Sequence, residues 1–150
     1  MTVPAGSAQI LTFSNSASET TTLVGGLSGK CLSVTGGSTS VGATADIYTC
    51  NGSGSEAWTL RSDDTVVGAA SADCLQGTDS TTGLKAAAEI EPCTGAPDQQ
   101  WTVTPSGTLI GVASALCLSV SGASTIPGAT ADTYTCNGSG SEAWTQQPAA

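Results

Sequence analysis

Residues 31–58 read CLSVTGGSTSVGATADIYTCNGSGSEAW, and residues 74–101 and 117–144 repeat this pattern without gaps. Two cysteines and one tryptophan recur in each copy at steps of 43 residues. The recurring positions are Cys31, Cys74 and Cys117, then Cys50, Cys93 and Cys136, then Trp58, Trp101 and Trp144. A constant period near 40 residues with one tryptophan per copy is typical of folds built from repeated units. The sequence therefore predicts three units that close on each other as one domain.

The six cysteines stand at matched repeat positions and predict three disulfides, hence an oxidising, extracellular compartment. Any pairing between units would break the symmetry of the repeat. Each unit is therefore expected to hold its own pair, namely Cys31–Cys50, Cys74–Cys93 and Cys117–Cys136. A zinc site is disfavoured because the cysteines of a pair are too far apart for the short Cys-x₂₋₄-Cys spacing.

The charge of the chain excludes several classes of partner. The formal net charge is −9, with only three basic residues, Lys30, Arg61 and Lys85. No basic patch can form, so neither nucleic acid nor an anionic membrane is an expected partner. The chain contains no histidine, the most common residue for proton transfer and for metal binding. No cofactor and no metal are predicted.

Each unit contains four short β-like segments separated by Gly, Ser, Asn and Asp. Twelve strands in three groups of four predict an all-β closed architecture, in which closure removes sheet edges. The predicted domain covers residues 20–150, with repeats at about 20–62, 63–105 and 106–148. Residues 85–89 have helix-forming composition, but their repeat counterparts are strands and a strand is predicted. Residues 1–19 are expected to form an extension or linker, with a further strand at 9–13.

The second and third β-like segments of a unit are predicted to form a hairpin. If Cys31 lies opposite Cys50, then Ser33 lies opposite Tyr48 in the antiparallel register. Because side chains alternate between faces, Asp46 and Tyr48 point to the same side of the hairpin.

These residues resemble the ricin B-type lectin β-trefoil. The resemblance consists of Cys-Leu-x-Val, Tyr-Thr-Cys-Asn-Gly and a final Gln-x-Trp or Glu-x-Trp, and it covers about residues 20–148. The second unit carries the intact Gln99-Gln100-Trp101, and the others carry Glu56-Ala57-Trp58 and Glu142-Ala143-Trp144. The resemblance implies a β-trefoil and a carbohydrate-binding module of the kind found in secreted glycoside hydrolases. Galactose-type sugars or plant polysaccharides are the implied ligands.

The chain departs from the family at its sugar-contacting positions. The family usually has aspartate two residues after the first cysteine, where this chain has Ser33, Gln76 and Ser119. The aromatic residue expected two before the second cysteine is present as Tyr48 and Tyr134, but Glu91 replaces it in the second unit. Four residues before that cysteine, the chain has Asp46, Glu89 and Asp132. We hypothesise that the acidic sugar ligand has moved from Ser33 to Asp46, and from Ser119 to Asp132.

Two candidate sugar sites follow, because a sugar needs a flat ring for its apolar face and fixed polar groups for its hydroxyls. They consist of Ser33, Asp46, Tyr48 and Asn51 in the first unit, and of Ser119, Asp132, Tyr134 and Asn137 in the third. The alternative is that both aspartates are solvated strand residues, that both tyrosines are packing residues and that Asn-Gly forms a turn. The three tryptophans are predicted to be core residues, and Glu56 and Glu142 to make structural hydrogen bonds.

The sequence thus predicts a secreted, monomeric and non-catalytic carbohydrate-binding module. A scaffold or protein-interaction domain that has lost sugar binding is the first alternative, because all three usual aspartates are missing. A protease-inhibitor function is another. An enzyme is disfavoured, because neighbouring carboxylates on one strand, such as Glu89 and Glu91, do not provide the two carboxyl groups across a cleft that glycosidases need.

Overall fold

The structure, a computed structural model, describes residues 20–77 and 86–148. Thirteen strands and no α-helix occur in these two ranges. The strands are β1 Thr20–Gly25, β2 Cys31–Val34, β3 Ala45–Tyr48, β4 Trp58–Leu60, β5 Val66–Gly68, β6 Cys74–Gln76, β7 Ala86–Ala87, β8 Glu89–Glu91, β9 Trp101–Val103, β10 Leu109–Gly111, β11 Cys117–Val120, β12 Ala131–Tyr134 and β13 Trp144–Pro148. The predicted extension at 1–19, with its strand at 9–13, lies outside the described residues.

The strands follow the 43-residue period, with β1–β4 in the first unit, β5–β9 in the second and β10–β13 in the third. The second unit has one strand more because its third segment is split into β7 and β8, which are separated by Ala88. Residues 86–91 are extended, so the strand prediction for this segment is confirmed for its described part.

Two antiparallel sheets contain these strands. One has the order β9-β10-β11-β12-β7, and the other has the order β3-β2-β1-β4-β5-β6-β8 with β13 paired to β1. The pairing of β13 with β1 joins the two ends of the described chain, from Trp144 opposite Gly25 to Pro148 opposite Thr21. The first and third units are therefore neighbours through backbone hydrogen bonds, as closure requires.

Three alanines lie where the units meet. Ala45, Ala88 and Ala131 occupy the same repeat position and are fully buried. The Ala45 N–H donates to the Ala88 carbonyl at 2.8 Å, and the Ala88 N–H donates to the Ala131 carbonyl at 3.0 Å. A small side chain at this position allows the backbones of three units to approach each other this closely.

The three tryptophans are buried in the core, as predicted. Each indole N–H donates to the backbone carbonyl of a leucine 26 residues earlier, in the same unit. The pairs are Trp58 with Leu32 at 2.9 Å, Trp101 with Leu75 at 3.0 Å and Trp144 with Leu118 at 3.0 Å. A buried indole needs such a partner, because an unpaired N–H would be destabilising. The tryptophan therefore fixes the hairpin of its own unit against the core.

Glycine replaces a core valine in the second unit. Gly77 takes the place of Val34 and Val120, and a Cβ there would lie 2.8 Å from the Trp101 ring. The indole of Trp101 thus occupies the space that the valine side chain fills in the other units.

The three disulfides join Cys31–Cys50, Cys74–Cys93 and Cys117–Cys136, so the predicted pairing is confirmed. Each closes a loop with a sequence separation of 19 residues. In the chain-entropy description, a loop of this size stabilises the fold by about 3 kcal/mol.

The described residues contain no helix with the length and apolarity needed to cross a bilayer.

Candidate carbohydrate-binding sites

The register of the β2–β3 hairpin differs from the predicted one by two residues. Ser33 lies opposite Asp46, and Tyr48 lies opposite Cys31. The prediction that Ser33 lies opposite Tyr48 is therefore wrong. Strand β3 ends at Tyr48, so Cys50 reaches Cys31 from beyond the end of the strand instead of from the facing position. A shift of two leaves every side chain on its predicted face.

The third unit has the same register. Ser119 lies opposite Asp132, and Tyr134 lies opposite Cys117. In both units the serine and the aspartate of the hypothesised exchange therefore lie directly opposite each other.

The four predicted residues of the first unit line one cavity of about 530 Å³. Besides Ser33, Asp46, Tyr48 and Asn51, the lining consists of Val34, Thr35, Gly36, Gly37, Ser53, Ser55, Glu56 and Gly128. A volume of this size is within the range of small-molecule sites.

The four predicted residues of the third unit line a second cavity of about 460 Å³. Besides Ser119, Asp132, Tyr134 and Asn137, its lining consists of Val120, Ser121, Gly122, Ala123, Ser139 and Ser141. The two cavities thus combine the same types of residue at equivalent repeat positions.

Both aspartates are buried, which contradicts the alternative that they are solvated strand residues. Asp46 is 4% exposed and Asp132 is 3% exposed. Burial raises the pKa of Asp46, the Thr35 hydroxyl lowers it by hydrogen bonding, and the nearby Glu56 raises it. Oδ1 of Asp46 is buried and has no hydrogen-bond partner.

The tyrosine in the first cavity is exposed, whereas the serine and the aspartate of the same cavity are buried. Tyr48 is 48% exposed, and Tyr134 is partly exposed. Each tyrosine stands two residues after the aspartate in the sequence and lines the same cavity. A ring with this exposure can present an apolar face to a ligand.

Each asparagine forms a turn as well as lining its cavity. Oδ1 of Asn51 accepts the Ser53 N–H at 2.9 Å, and Oδ1 of Asn137 accepts the Ser139 N–H at 2.9 Å. This arrangement is an Asx turn, in which the side chain replaces a backbone acceptor. The turn and site predictions are therefore compatible, and the amide NH₂ is the end that can donate to a ligand.

Glu56 and Glu142 make the structural hydrogen bonds predicted for them. Glu56 accepts the Asn51 N–H at 2.8 Å, and Glu142 accepts the Asn137 N–H at 2.8 Å. Both side chains are buried. Each glutamate therefore holds the loop that carries a cavity asparagine.

The second unit lacks this arrangement. Oε1 of Gln76 accepts a hydrogen bond from Nε2 of Gln99 at 3.1 Å, so this side chain is used within the fold. Glu89 and Glu91 are partly exposed on either side of the buried Ile90, and so share a face as predicted. The hydrogen bond with Glu91 raises the pKa of Glu89, and burial and the charge of Glu91 raise it further.

The sequence interpretation missed one wall of each cavity. The 3₁₀ turns Thr35–Gly37 and Ser121–Ala123 supply that wall. A sequence signal for these turns was present, because glycine occupies the same repeat position in both units, as Gly36 and Gly122. Their φ angles are 67° and 63°. Glycine adopts this left-handed conformation without strain.

Within residues 20–77 and 86–148, no group of three or more Cys, Asp or Glu side chains is placed to hold a metal ion. The polar groups of the two cavities are carboxyl, hydroxyl and amide groups, which are suited to hydrogen bonding with a polyhydroxylated ligand.

The chain is similar to known proteins over most of its length. The model of the ricin-type β-trefoil lectin domain matches residues 19–144. No curated protein sequence is a significant relative.

Solved structures have the same β-trefoil fold. A designed threefold-symmetric protein, ThreeFoil, superposes with a TM-score of 0.80 at 29% identity, over 85% of this chain and 97% of that one. The C-terminal half of the earthworm R-type lectin, solved in complex with GalNAc, superposes with a TM-score of 0.74 at 12% identity, over 87% of this chain and 98% of that one. An exo-β-1,3-galactanase from Clostridium thermocellum superposes with a TM-score of 0.77 at 22% identity, over 87% of this chain and 30% of that one. The predicted fold class is confirmed, and the chain belongs to the ricin-type β-trefoil lectin domain family.

Proposed function

We propose that this chain is a secreted carbohydrate-binding module that takes one sugar residue in the cavity of the first unit and one in that of the third. The observation that carries the proposal is the shared composition of the two cavities. Each combines a tyrosine ring, a buried aspartate, a serine opposite that aspartate and an asparagine. The lectin fold itself is a carbohydrate-binding fold.

The chemistry of each residue fits this function. The ring of Tyr48 provides a flat surface for the C–H face of a sugar. The carboxylate of Asp46 accepts strong hydrogen bonds from hydroxyl groups, and Ser33 can donate or accept. Tyr134, Asp132 and Ser119 are equivalent to these residues in the third unit.

The proposed ligands are galactose-type sugars or plant polysaccharides that contain them. Two of the similar structures support this choice, since one was solved with GalNAc and another is a galactanase. The module is proposed to act beside a glycoside hydrolase and to have no catalytic role of its own. The three disulfides support an extracellular location.

The test is a pull-down of the chain on insoluble galactan, arabinoxylan and mannan, with Tyr48→Ala, Tyr134→Ala and the double variant. We expect the double variant to lose binding, because both stacking surfaces are removed. Val112→Ala is the matched control, since Val112 is 47% exposed and lines neither cavity. Full retention of the double variant on the polysaccharide that binds the native chain would refute the proposal. Absence of binding to any glycan would instead favour the scaffold alternative.

A further inference from the structure

The cavity of the first unit contains two carboxyl groups and no basic side chain. Asp46 and Glu56 both belong to its lining, and they are 4% and 1% exposed. The lining has no Lys or Arg among its residues. In the third unit, Asp132 and Glu142 occupy the equivalent positions and are buried to a similar extent.

One oxygen atom of each carboxyl group is buried without a hydrogen-bond partner. These atoms are Oδ1 of Asp46 and Oε2 of Glu56. Each carboxyl group has a donor, the Asn51 N–H for Glu56 and the Thr35 hydroxyl for Asp46, but its second oxygen has lost hydration without gaining a hydrogen bond, which is destabilising. Burial raises the pKa of Asp46, the Thr35 hydroxyl offsets part of this shift, and the charge of Glu56 adds to it, so the net shift is upward. A cation in the cavity would compensate the negative charge of the two carboxyl groups.

The ring of Tyr48 lies in the same lining and is 48% exposed. The face of an aromatic ring attracts cations as well as the apolar face of a sugar. A ligand that combines a sugar ring with a positive charge therefore matches both the ring and the carboxyl groups of this cavity.

We propose that the cavity of the first unit selects amino sugars that carry a free ammonium group. It prefers them to the N-acetylated, neutral and uronic acid forms of the same sugar. The inference rests on the proposed function, because it names the preferred chemical class at one of the two proposed sites. The ammonium group supplies donors and a positive charge near Asp46 and Glu56, whereas a uronic acid brings a third negative charge.

The test uses the Tyr134→Ala variant, in which the first unit holds the remaining intact site. Galactosamine, N-acetylgalactosamine, galactose and galacturonate are titrated separately by calorimetry at low salt, in a buffer with a chelator that removes metal ions. We expect galactosamine to bind about tenfold more tightly than galactose, since a charge-assisted hydrogen bond is about twice as strong as a neutral one. The ratio of the two dissociation constants should decrease with added salt.

Three variants in the same background locate the charge effect. Asp46→Asn and Glu56→Gln each remove one charge from the cavity and should move the ratio towards one. Asp64→Asn removes an exposed charge outside both cavities and should leave the ratio unchanged.

Equal binding of galactose and galactosamine would overturn the charge preference alone. A preference for galactosamine over galactose that persists in both Asp46→Asn and Glu56→Gln would overturn the charge preference as well. Absence of binding to all four sugars by the native chain would overturn the proposed function together with the preference.

Discussion

Gln99 and Glu56 occupy the same repeat position, yet only the side chain of Gln99 is fully hydrogen-bonded. Each accepts a backbone N–H from five residues earlier at 2.8 Å. Nε2 of Gln99 also donates to the Pro92 carbonyl at 2.8 Å, whereas Oε2 of Glu56 is buried and has no partner. A carboxylate has no donor for this second contact. Glutamine at this position therefore satisfies a buried site that glutamate leaves incomplete.

This difference predicts that Glu56→Gln and Glu142→Gln stabilise the protein. Oε2 of Glu142 is also buried without a partner, so both replacements supply a donor where one is missing. An unsatisfied buried polar group costs about 1–3 kcal/mol, and each replacement should recover a gain of that order. The free energy of unfolding, measured in denaturant with the disulfides intact, checks the prediction.

The reverse substitution is the matched control. Gln99→Glu removes the donor to Pro92 and to Gln76 and should destabilise the protein by a similar amount. If all three variants shift the unfolding midpoint in the same direction, hydrogen bonding at this position does not explain the effect.

Burial of Asp46 predicts a pH-dependent stability. The pKa of Asp46 is raised in the fold above its ordinary value of 3.8, so the folded state binds this proton more tightly than the unfolded state. Its contribution to stability is therefore complete below the unfolded pKa and decreases as pH rises through the folded pKa. Asp46→Asn removes this titration. The melting temperature of the variant should rise relative to the native chain as pH increases above 3.8, through the raised pKa of Asp46.

Other groups contribute to the total pH profile. The raised pKa of Glu89 acts in the same direction as that of Asp46, and the pKa of Asp63, lowered by its hydrogen bonds with Thr65, acts in the opposite direction. The relevant quantity is therefore the difference in melting temperature between Asp46→Asn and the native chain. A difference that does not vary with pH would contradict the assignment to Asp46.

The disulfides provide a way to separate stability from binding. Removal of Cys74–Cys93 by double serine substitution should cost about 3 kcal/mol, since the loop is no longer closed in the unfolded chain. Removal of Cys117–Cys136 should cost a similar amount, because its loop has the same length. Binding should differ between them, because Cys117 lies opposite Tyr134 and supports that cavity.

Sugar titrations well below both melting temperatures make this comparison. The variant without Cys74–Cys93 should keep both sites, and the variant without Cys117–Cys136 should lose affinity at the third unit. Equal loss of binding in the two variants would show that the disulfides act through global stability alone.

The repeat carries most of the information that the sequence gives about the fold. The constant step of 43 residues predicted the disulfides, because pairing within each unit is both symmetric and local in the sequence. The same step predicted that the tryptophans are core residues. It also identified equivalent cavity residues in the first and third units. These features follow from a pattern of residues that occurs three times in the sequence.

The register and the burial of Asp46 depend on features that the pattern does not show. The register is set by the end of β3 at Tyr48, which alternation of side chains does not reveal, because a shift of two preserves every face. Asp46 is covered partly by another unit, since it forms a β-bridge with Thr130 and Gly128 lines the same cavity. A contact between residues more than 80 positions apart has no local signal in the sequence.

The presence of two similar cavities predicts avidity on polymers. Each cavity is open and of moderate size, so a single sugar residue should bind weakly. We expect a dissociation constant near millimolar, which corresponds to a binding free energy of about −4 kcal/mol. On a polysaccharide, binding of the second cavity becomes intramolecular at an effective concentration in the millimolar range, which strengthens overall binding without new contacts. Tyr48→Ala and Tyr134→Ala should each weaken polymer binding more than twofold, while each retains monosaccharide binding at its intact cavity. Isotherms on the soluble polymer and on the monosaccharide, measured for both variants, make this comparison. A decrease of only twofold on the polymer would show that the two cavities bind independently.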